Sequence, residues 1–180
     1  LRAGDDPLER KASLRRISDA AKDLSARVQD LLDAASSGSH DYSFVLAPHA
    51  LPALIDAVVV QMQALARYRG ITLRLAAVPD STVVVDGERL QQALTTVLDN
   101  ALRYTPEGGH VAVSALRQDG AISIQVEDDG PGMSEEDLAH ALDAQFRGRA
   151  ASAHPSGAGL GLSIADRILQ AHGGSIELSP

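Results

Sequence analysis

The stretch "HVAVSALRQDGAISIQVED" (110–128) restricts the fold of this chain more than any other. Two runs of alternating apolar and polar residues flank Asp119–Gly120. That dipeptide favours a two-residue hairpin turn, because both of its residues tolerate positive φ. Helical patterns lie on both sides of the hairpin. "ALPALIDAVVVQMQALARYRG" (50–70) is a strongly apolar helix, with Gly70 placed to end it. A second helix starts at Gly87, where Asp86 can cap it, and runs to about Tyr104 before Pro106 and Gly108–Gly109 stop it. A third covers 160–172 and ends at His172–Gly173–Gly174. "YSFVLAP", "ITLRLAAV" (71–78) and "STVVVD" (81–86) read as short strands, and "SIEL" begins another. Residues 134–156 read as polar, small and irregular. Strands alternate with helices, yet a hairpin is present. The expectation is an α/β two-layer sandwich, a mixed β-sheet covered by helices.

A further long helix is expected in front, over residues 8–36. Leu14, Ile17, Ala21, Leu24, Val28 and Leu31 step by three and four, the heptad spacing. This suits a helical hairpin or dimeric bundle, with one amphipathic helix lying on a globular core as the lesser alternative. "SSGSHD" (36–41) reads as the linker that follows.

Composition narrows the chemistry. The 180 residues carry a formal charge of −8, which argues against nucleic acid or an anionic membrane surface as the main partner. There are no cysteines, so disulfides, thiolate metal sites and cysteine nucleophiles are excluded. No stretch approaches the roughly 18 apolar residues of a membrane span, and no signal peptide opens the chain.

Three stretches can carry chemistry. In "LQQALTTVLDNALRYTPEGG" (90–109), Thr96, Asn100, Arg103 and Tyr104 share one helix face. The Asn amide oxygen is a hard ligand suited to Mg²⁺, and Arg103 one turn later can pair with phosphate. Taken alone, that face reads better as a solvated one. In "VEDDGPGM" (126–133), Asp128, Gly130 and Gly132 form D-x-G-x-G after a strand. An ionised carboxylate only accepts hydrogen bonds, so it favours adenine's exocyclic amine over guanine's carbonyl. In isolation the same residues make a tight turn, with Pro131 second and Gly132 third. In "PSGAGLGLSIA" (155–165), Gly157, Gly159 and Gly161 precede a helix, where backbone N–H groups and the helix dipole attract an anion. The spacing matches neither G-x-x-x-x-G-K-[ST] nor G-x-G-x-x-G, and a plain linker reads the same way.

The order of these stretches is specific. The sequence resembles the catalytic, ATP-binding domain of sensor histidine kinases, within the ATPase superfamily that includes gyrase-type topoisomerases and heat-shock chaperones. "LTTVLDNALRYTPEGG" is similar to the family's N box, "VEDDGPGM" to its first glycine box, and "GAGLGLSIADRILQAHGG" to its second. The resemblance covers about residues 44–178. It implies the histidine-kinase-type ATPase fold over 42–180, with the last strand truncated. It also implies that residues 1–38 are part of the dimerisation and phosphoacceptor hairpin, its second helix, without the acceptor histidine.

The resemblance further implies roles. Asn100 would hold Mg²⁺ against the ATP phosphates, Arg103 would contact phosphate, and Tyr104 would flank the adenine. Asp128 would read the adenine amine, with Gly130 and Gly132 beside it. Residues 134–156 would form a lid hinged at Gly157, Gly159 and Gly161, with the backbone at Leu160 and Gly161 meeting the phosphates. Arg147 is a further candidate for the terminal phosphate. The implied activity is transfer of the ATP γ-phosphate to a hairpin histidine, for relay to a response-regulator aspartate. The implied setting is cytoplasmic and homodimeric in the full-length kinase. No direct membrane contact is expected of this part, and any membrane anchor would lie upstream.

The sequence departs from the family at several positions. The six histidines, His40, His49, His110, His140, His154 and His172, all lack the phosphoacceptor context. His110 reads as structural, and His172 as a helix cap. Thr96 stands where the hydrolases of the superfamily carry Glu, so it supplies no carboxylate base. The lid's usual paired phenylalanines are Leu142 and Gln145, with Phe146 beside them. These departures keep a second reading open, a degenerate ATP-binding switch without productive transfer.

Overall fold

Asp86 starts the helix on which everything else is arranged. Its Oδ1 accepts the Arg89 N–H at 3.1 Å and its Oδ2 accepts the Val45 N–H at 3.1 Å. An N-cap carboxylate satisfies donors that the first helical turn leaves orphaned. The Arg89 bond holds the Asp86 carboxyl below its ordinary pKa; burial opposes it, and the Val45 bond adds to the lowering. A depressed carboxyl stabilises the fold above its unfolded pKa, and the contribution disappears as pH falls through the folded value. Asp86→Ala should therefore cost about 1–2 kcal/mol at neutral pH. The gap from wild type should shrink as pH falls below 4, which urea denaturation at the two pH values would show.

The computed structural model describes residues 44–118, 120–146, 148 and 159–180. In chain order the elements are β1 (Ala47–Ala50), α1 (Leu51–Tyr68), β2 (Thr72–Leu75), β3 (Thr82–Val85), α2 (Gly87–Tyr104), β4 (His110–Gln118), β5 (Ala121–Asp128), α3 (Glu135–His140) and α4 (Gly161–Ala171). The expected helix over 8–36 lies outside the described residues.

The strands form two ladders. β2 pairs parallel to β4, and β4 pairs antiparallel to β5, so that sheet is mixed in the order β2-β4-β5. β1 and β3 pair antiparallel as a separate ribbon. Gln118 faces Ala121 across the hairpin, so the chain reverses between them, with Gly120 at φ +84°. The register places Val111 opposite Asp128.

α1 and α2 cover one face of the sheet. Leu51, Ile55 and Val58 of α1, Leu98 and Leu102 of α2, and Val111 and Val113 of β4 are the largest fully buried side chains. Ile122, Ile124 and Val126 of β5 pack against the same core. A second, smaller cluster joins α2 to α4 through Ala93, Ala165 and Ile168, flanked by Val97, Ile164 and Ile176. The two helices that carry the candidate motifs are thus packed directly on one another.

Three local expectations change. Of the described part of "YSFVLAP", only Ala47 and Pro48 lie in a strand, β1, which runs on to Ala50. Residues 135–140 of the stretch read as irregular form α3. Ser134 Oγ accepts the Asp137 N–H at 3.1 Å, and Glu135, Glu136 and Asp137 fill the first turn, where acidic side chains complement the dipole. The "SIEL" stretch is not a strand. A strand needs a ladder partner, and the sheet order leaves β5 at an edge among the described residues. The alternation there reflects burial alone: Ile176 and Leu178 are half-buried while Ser175 and Glu177 are exposed.

His172 ties the C-terminus of α4 to the start of α2. Its Nδ1–H donates to the Ile168 carbonyl at 2.8 Å, and its Nε2 accepts the Asp86 N–H at 3.0 Å. The Phe44 ring meets the imidazole edge-on at 4.9 Å. The role is a cap, and it extends to the neighbouring helix.

Candidate nucleotide site

α2 presents Thr96, Asn100, Arg103 and Tyr104 along one face, as helical spacing requires. All four are half-buried. The helix stops after Tyr104 because Thr105 leaves the helical region at ψ 130° and is followed by Pro106. The Thr105 hydroxyl donates back to the Ala101 carbonyl at 2.8 Å.

The two glycine-bearing segments meet this face at different heights. At the C-terminal end, a Cβ on Gly130 would sit 3.5 Å from the Tyr104 carbonyl oxygen. One turn before Asn100, a Cβ on Gly161 would sit 3.0 Å from Thr96 Cγ2. Eight residues separate these contacts, a rise of about 12 Å, with Asn100 midway. A ligand spanning them would place one end at β5 and the other at the start of α4.

Asp128 ends β5 and is exposed. Its Oδ1 accepts the Gly130 N–H at 2.8 Å, a side-chain turn that fixes the carboxylate's direction. A Cβ on Gly130 would collide with that same oxygen. Among the described residues nothing donates to Asp128 Oδ2, which leaves it available to an incoming donor. Gly132 lies at φ +68°, so the segment is a tight turn as well as a carboxylate mount. The two readings of D-x-G-x-G describe the same geometry.

Asp129 has a separate task. Its Oδ2 accepts both the His110 N–H at 2.8 Å and the His110 Nδ1–H at 2.9 Å, and its own N–H donates to the His110 carbonyl at 3.1 Å. The His110 side-chain hydrogen bond, followed by the backbone one, holds the Asp129 carboxyl below the usual range. This clasp extends the β4–β5 register one position past Asp128. No motif marks it, although the hairpin register, counted back from Gln118 opposite Ala121, places residue 110 opposite residue 129.

Asn100 is half-buried, and among the described residues nothing engages its side-chain amide. One hard oxygen is a sparse donor set, yet it fits Mg²⁺. This ion keeps several waters and completes its octahedron with substrate phosphates rather than an all-protein cage. Among the described residues there is no cluster of three or more His, Cys, Asp or Glu that could hold a metal independently. Arg103, expected on phosphate, donates from Nη2 to Asp99 Oδ2 at 2.8 Å. The Thr96 hydroxyl bonds to the Gln92 carbonyl of its own helix at 2.9 Å.

At Gly159, before α4, the chain crosses itself. Gly159 lies at φ +73°, and its carbonyl accepts the Gln145 N–H at 3.0 Å. A Cβ there would lie 2.5 Å from the Phe146 carbonyl oxygen. Gln145 also has positive φ, +67°. Backbone therefore runs against backbone at this crossing, and only glycine permits it. Leu160 is the residue before α4, with no side-chain cap. Arg147 and Gly157 lie outside the described residues. Gly159→Ala should break the crossing, at a cost of about 1–3 kcal/mol for the local strain. The readout is hydrogen exchange at the Gln145 amide, expected to lose protection; unchanged protection would contradict the contact.

Known proteins resemble this chain in sequence and in fold. The model of the histidine kinase-, DNA gyrase B-, and HSP90-like ATPase family matches residues 85–180. The sensor protein SrrB of Staphylococcus aureus (strain MRSA252) is 29% identical over 174 residues, 96% of this chain and 30% of its own length. Full-length ShkA, solved in complex with AMPPNP, is 30% identical with a TM-score of 0.73, over 99% of this chain and 38% of that one. The mycobacterial sensor histidine kinase MprB is 28% identical with a TM-score of 0.61, over 72% of this chain and 81% of that one. The chain belongs to the histidine kinase-, DNA gyrase B-, and HSP90-like ATPase family, as a catalytic ATP-binding domain of the sensor histidine kinase type. It spans about 30% of the length of the curated relatives it matches. No helix among the described residues is long and apolar enough to cross a membrane.

Proposed function

We propose that this chain binds Mg·ATP and delivers its γ-phosphoryl group to a histidine on a dimerisation hairpin, for relay to a response-regulator aspartate. One observation carries the reading. The Asp128–Gly130 turn and the start of α4 meet α2 at Tyr104 and Thr96, on either side of Asn100. That spacing suits adenine at one end and phosphates at the other.

Asp128 Oδ2 would accept from the adenine amine, and Tyr104 would flank the ring. Gly130 and Gly132 keep the turn close to it. The N–H groups around Leu160 and Gly161 would face phosphate oxygens, with the α4 dipole behind them. Asn100 would hold Mg²⁺, which supplies charge neutralisation on the phosphates when bound. Arg103 would leave Asp99 for a phosphate oxygen, and Arg147 is assigned to the terminal phosphate. Gly157, Gly159 and Gly161 would serve as the lid's hinge.

In the transfer, the bond from an imidazole nitrogen to the γ-phosphorus forms while the bond to the bridging oxygen of ADP breaks. Positioning and charge dominate such a step. A neutral imidazole brings its own lone pair, so a strong base is not required of this domain. Thr96, whose hydroxyl is engaged with Gln92, offers none for water either.

We assign residues 1–38 to the hairpin's second helix and 42–180 to the catalytic domain. The full-length protein would be a homodimer with its catalytic part in the cytoplasm. Titration calorimetry tests the nucleotide reading. ATP should bind in a Mg²⁺-dependent manner and GTP at least about tenfold more weakly, since one charge-assisted bond is worth about 1.5–3 kcal/mol. Equal affinity for the two would remove Asp128 from the base site.

A further inference from the structure

The residue beside Asn100 is an acid, an awkward neighbour for a polyphosphate. Asp99 is about three-quarters buried, and its Oδ2 holds Arg103 Nη2 at 2.8 Å. Its Oδ1 faces Arg69 Nη2 at 3.9 Å. Arg69 comes from the C-terminal cap of α1, an element with no part in the candidate site. The end of α1 is fastened to the loop after α2: the Gly108 N–H donates to the Gly70 carbonyl at 2.9 Å, and the Thr72 N–H to the Gly109 carbonyl at 3.0 Å. One carboxylate is therefore shared between two guanidinium groups from two helices. If Arg103 turns to a phosphate, Asp99 loses its nearer counter-charge. The charge of this partly buried carboxylate, less well balanced, would then repel the same phosphates.

We infer that Arg69 is a positioning residue for the nucleotide. It acts as the standby counter-ion of Asp99, taking over the carboxylate when Arg103 is drawn to phosphate. Arg69 touches no nucleotide itself. It makes the partner exchange of Arg103 favourable by keeping Asp99 neutralised throughout. This deepens the Mg·ATP reading above and rests on it. The alternative is a purely structural tie between α1 and α2.

The two roles separate by charge. Mg·ATP, Mg·ADP and AMP are titrated calorimetrically into the 180-residue chain and into Arg69→Gln, Arg69→Lys, Asp99→Asn and the Arg69→Gln/Asp99→Asn double variant. Thermal melts run alongside. Arg69→Gln should weaken Mg·ATP about tenfold, Mg·ADP less, and AMP less than twofold. Arg69→Lys should stay within about threefold of wild type, because it keeps the charge. In the double variant the carboxylate is gone, and Mg·ATP affinity should return to within about twofold of wild type. An equal loss for all three nucleotides, or a double variant no better than Arg69→Gln, overturns the proposal. If Arg69→Gln does not fold, Asp99→Asn decides alone: it should bind Mg·ATP at least as tightly as wild type, and weaker binding overturns the idea. A wild-type chain that binds none of the nucleotides sinks this inference and the functional reading together. Wild-type binding with Arg69→Gln unaffected sinks this inference only.

Discussion

Asn100→Ala should lower Mg²⁺-dependent ATP affinity by about 100-fold or more, a loss of about 2.8 kcal/mol. The amide oxygen is the one hard metal ligand assigned to the protein, and Mg²⁺ is what offsets the phosphate charge. Alanine has the highest helix propensity, and Asn100 is only half-buried, so α2 should remain intact. The melting temperature should accordingly change little. Adenosine, which lacks phosphates, should bind the variant as it binds wild type. Calorimetry with and without Mg²⁺ checks each point. A Mg²⁺ effect on ATP binding that survives in the variant would take Asn100 out of the metal site.

Asp128→Asn should weaken ATP binding by about tenfold or more, since ~1.4 kcal/mol is a factor of ten. An asparagine oxygen can still accept the Gly130 N–H and keep the turn. The remaining position then carries an NH₂ group, which meets the adenine amine donor to donor. The ATP-over-GTP preference should shrink by the same factor, because guanine's carbonyl now faces a donor. The two variants separate the ends of the ligand. Asn100→Ala acts through phosphates and Mg²⁺, and Asp128→Asn acts through the base.

The elements with strong local signals are legible in the sequence. α2 starts at Gly87 behind the Asp86 cap and ends at Tyr104, where the cap, the apolar stripe and Pro106 put its ends. The hairpin closes with Gln118 opposite Ala121, the register that a two-residue turn dictates. The "SIEL" stretch misled because burial of Ile176 and Leu178 gives the alternation of a strand without a ladder. α3 was overlooked because it buries nothing and so has no apolar period, although Ser134 and the acidic turn after it signal a helix start.

For the candidate site, the motif residues were legible and their neighbours were not. Asn100, Asp128 and Gly161 stand out as residue types at informative spacings. That Gly130 and Gly161 would meet α2 on either side of Asn100 depends on how α4 and β5 pack, which no local pattern encodes. Arg69 reaches Asp99 from another helix, 30 residues earlier, and has no motif of its own. The alternating glycines alone do not separate a plain linker from backbone cleared for a close approach. At Gly159 the approaching group is the backbone of Gln145 and Phe146.

The most direct test of the account is transfer itself. The chain is incubated with Mg²⁺ and ATP labelled at the γ-phosphate, together with a histidine-bearing dimerisation hairpin supplied in trans. The account predicts label on the hairpin that is acid-labile and base-stable, as a phosphorus–nitrogen bond to imidazole is, and none when Asn100→Ala replaces the wild-type chain. Tight Mg·ATP binding with no labelled hairpin would contradict it, and would leave a nucleotide-dependent switch in place of a kinase.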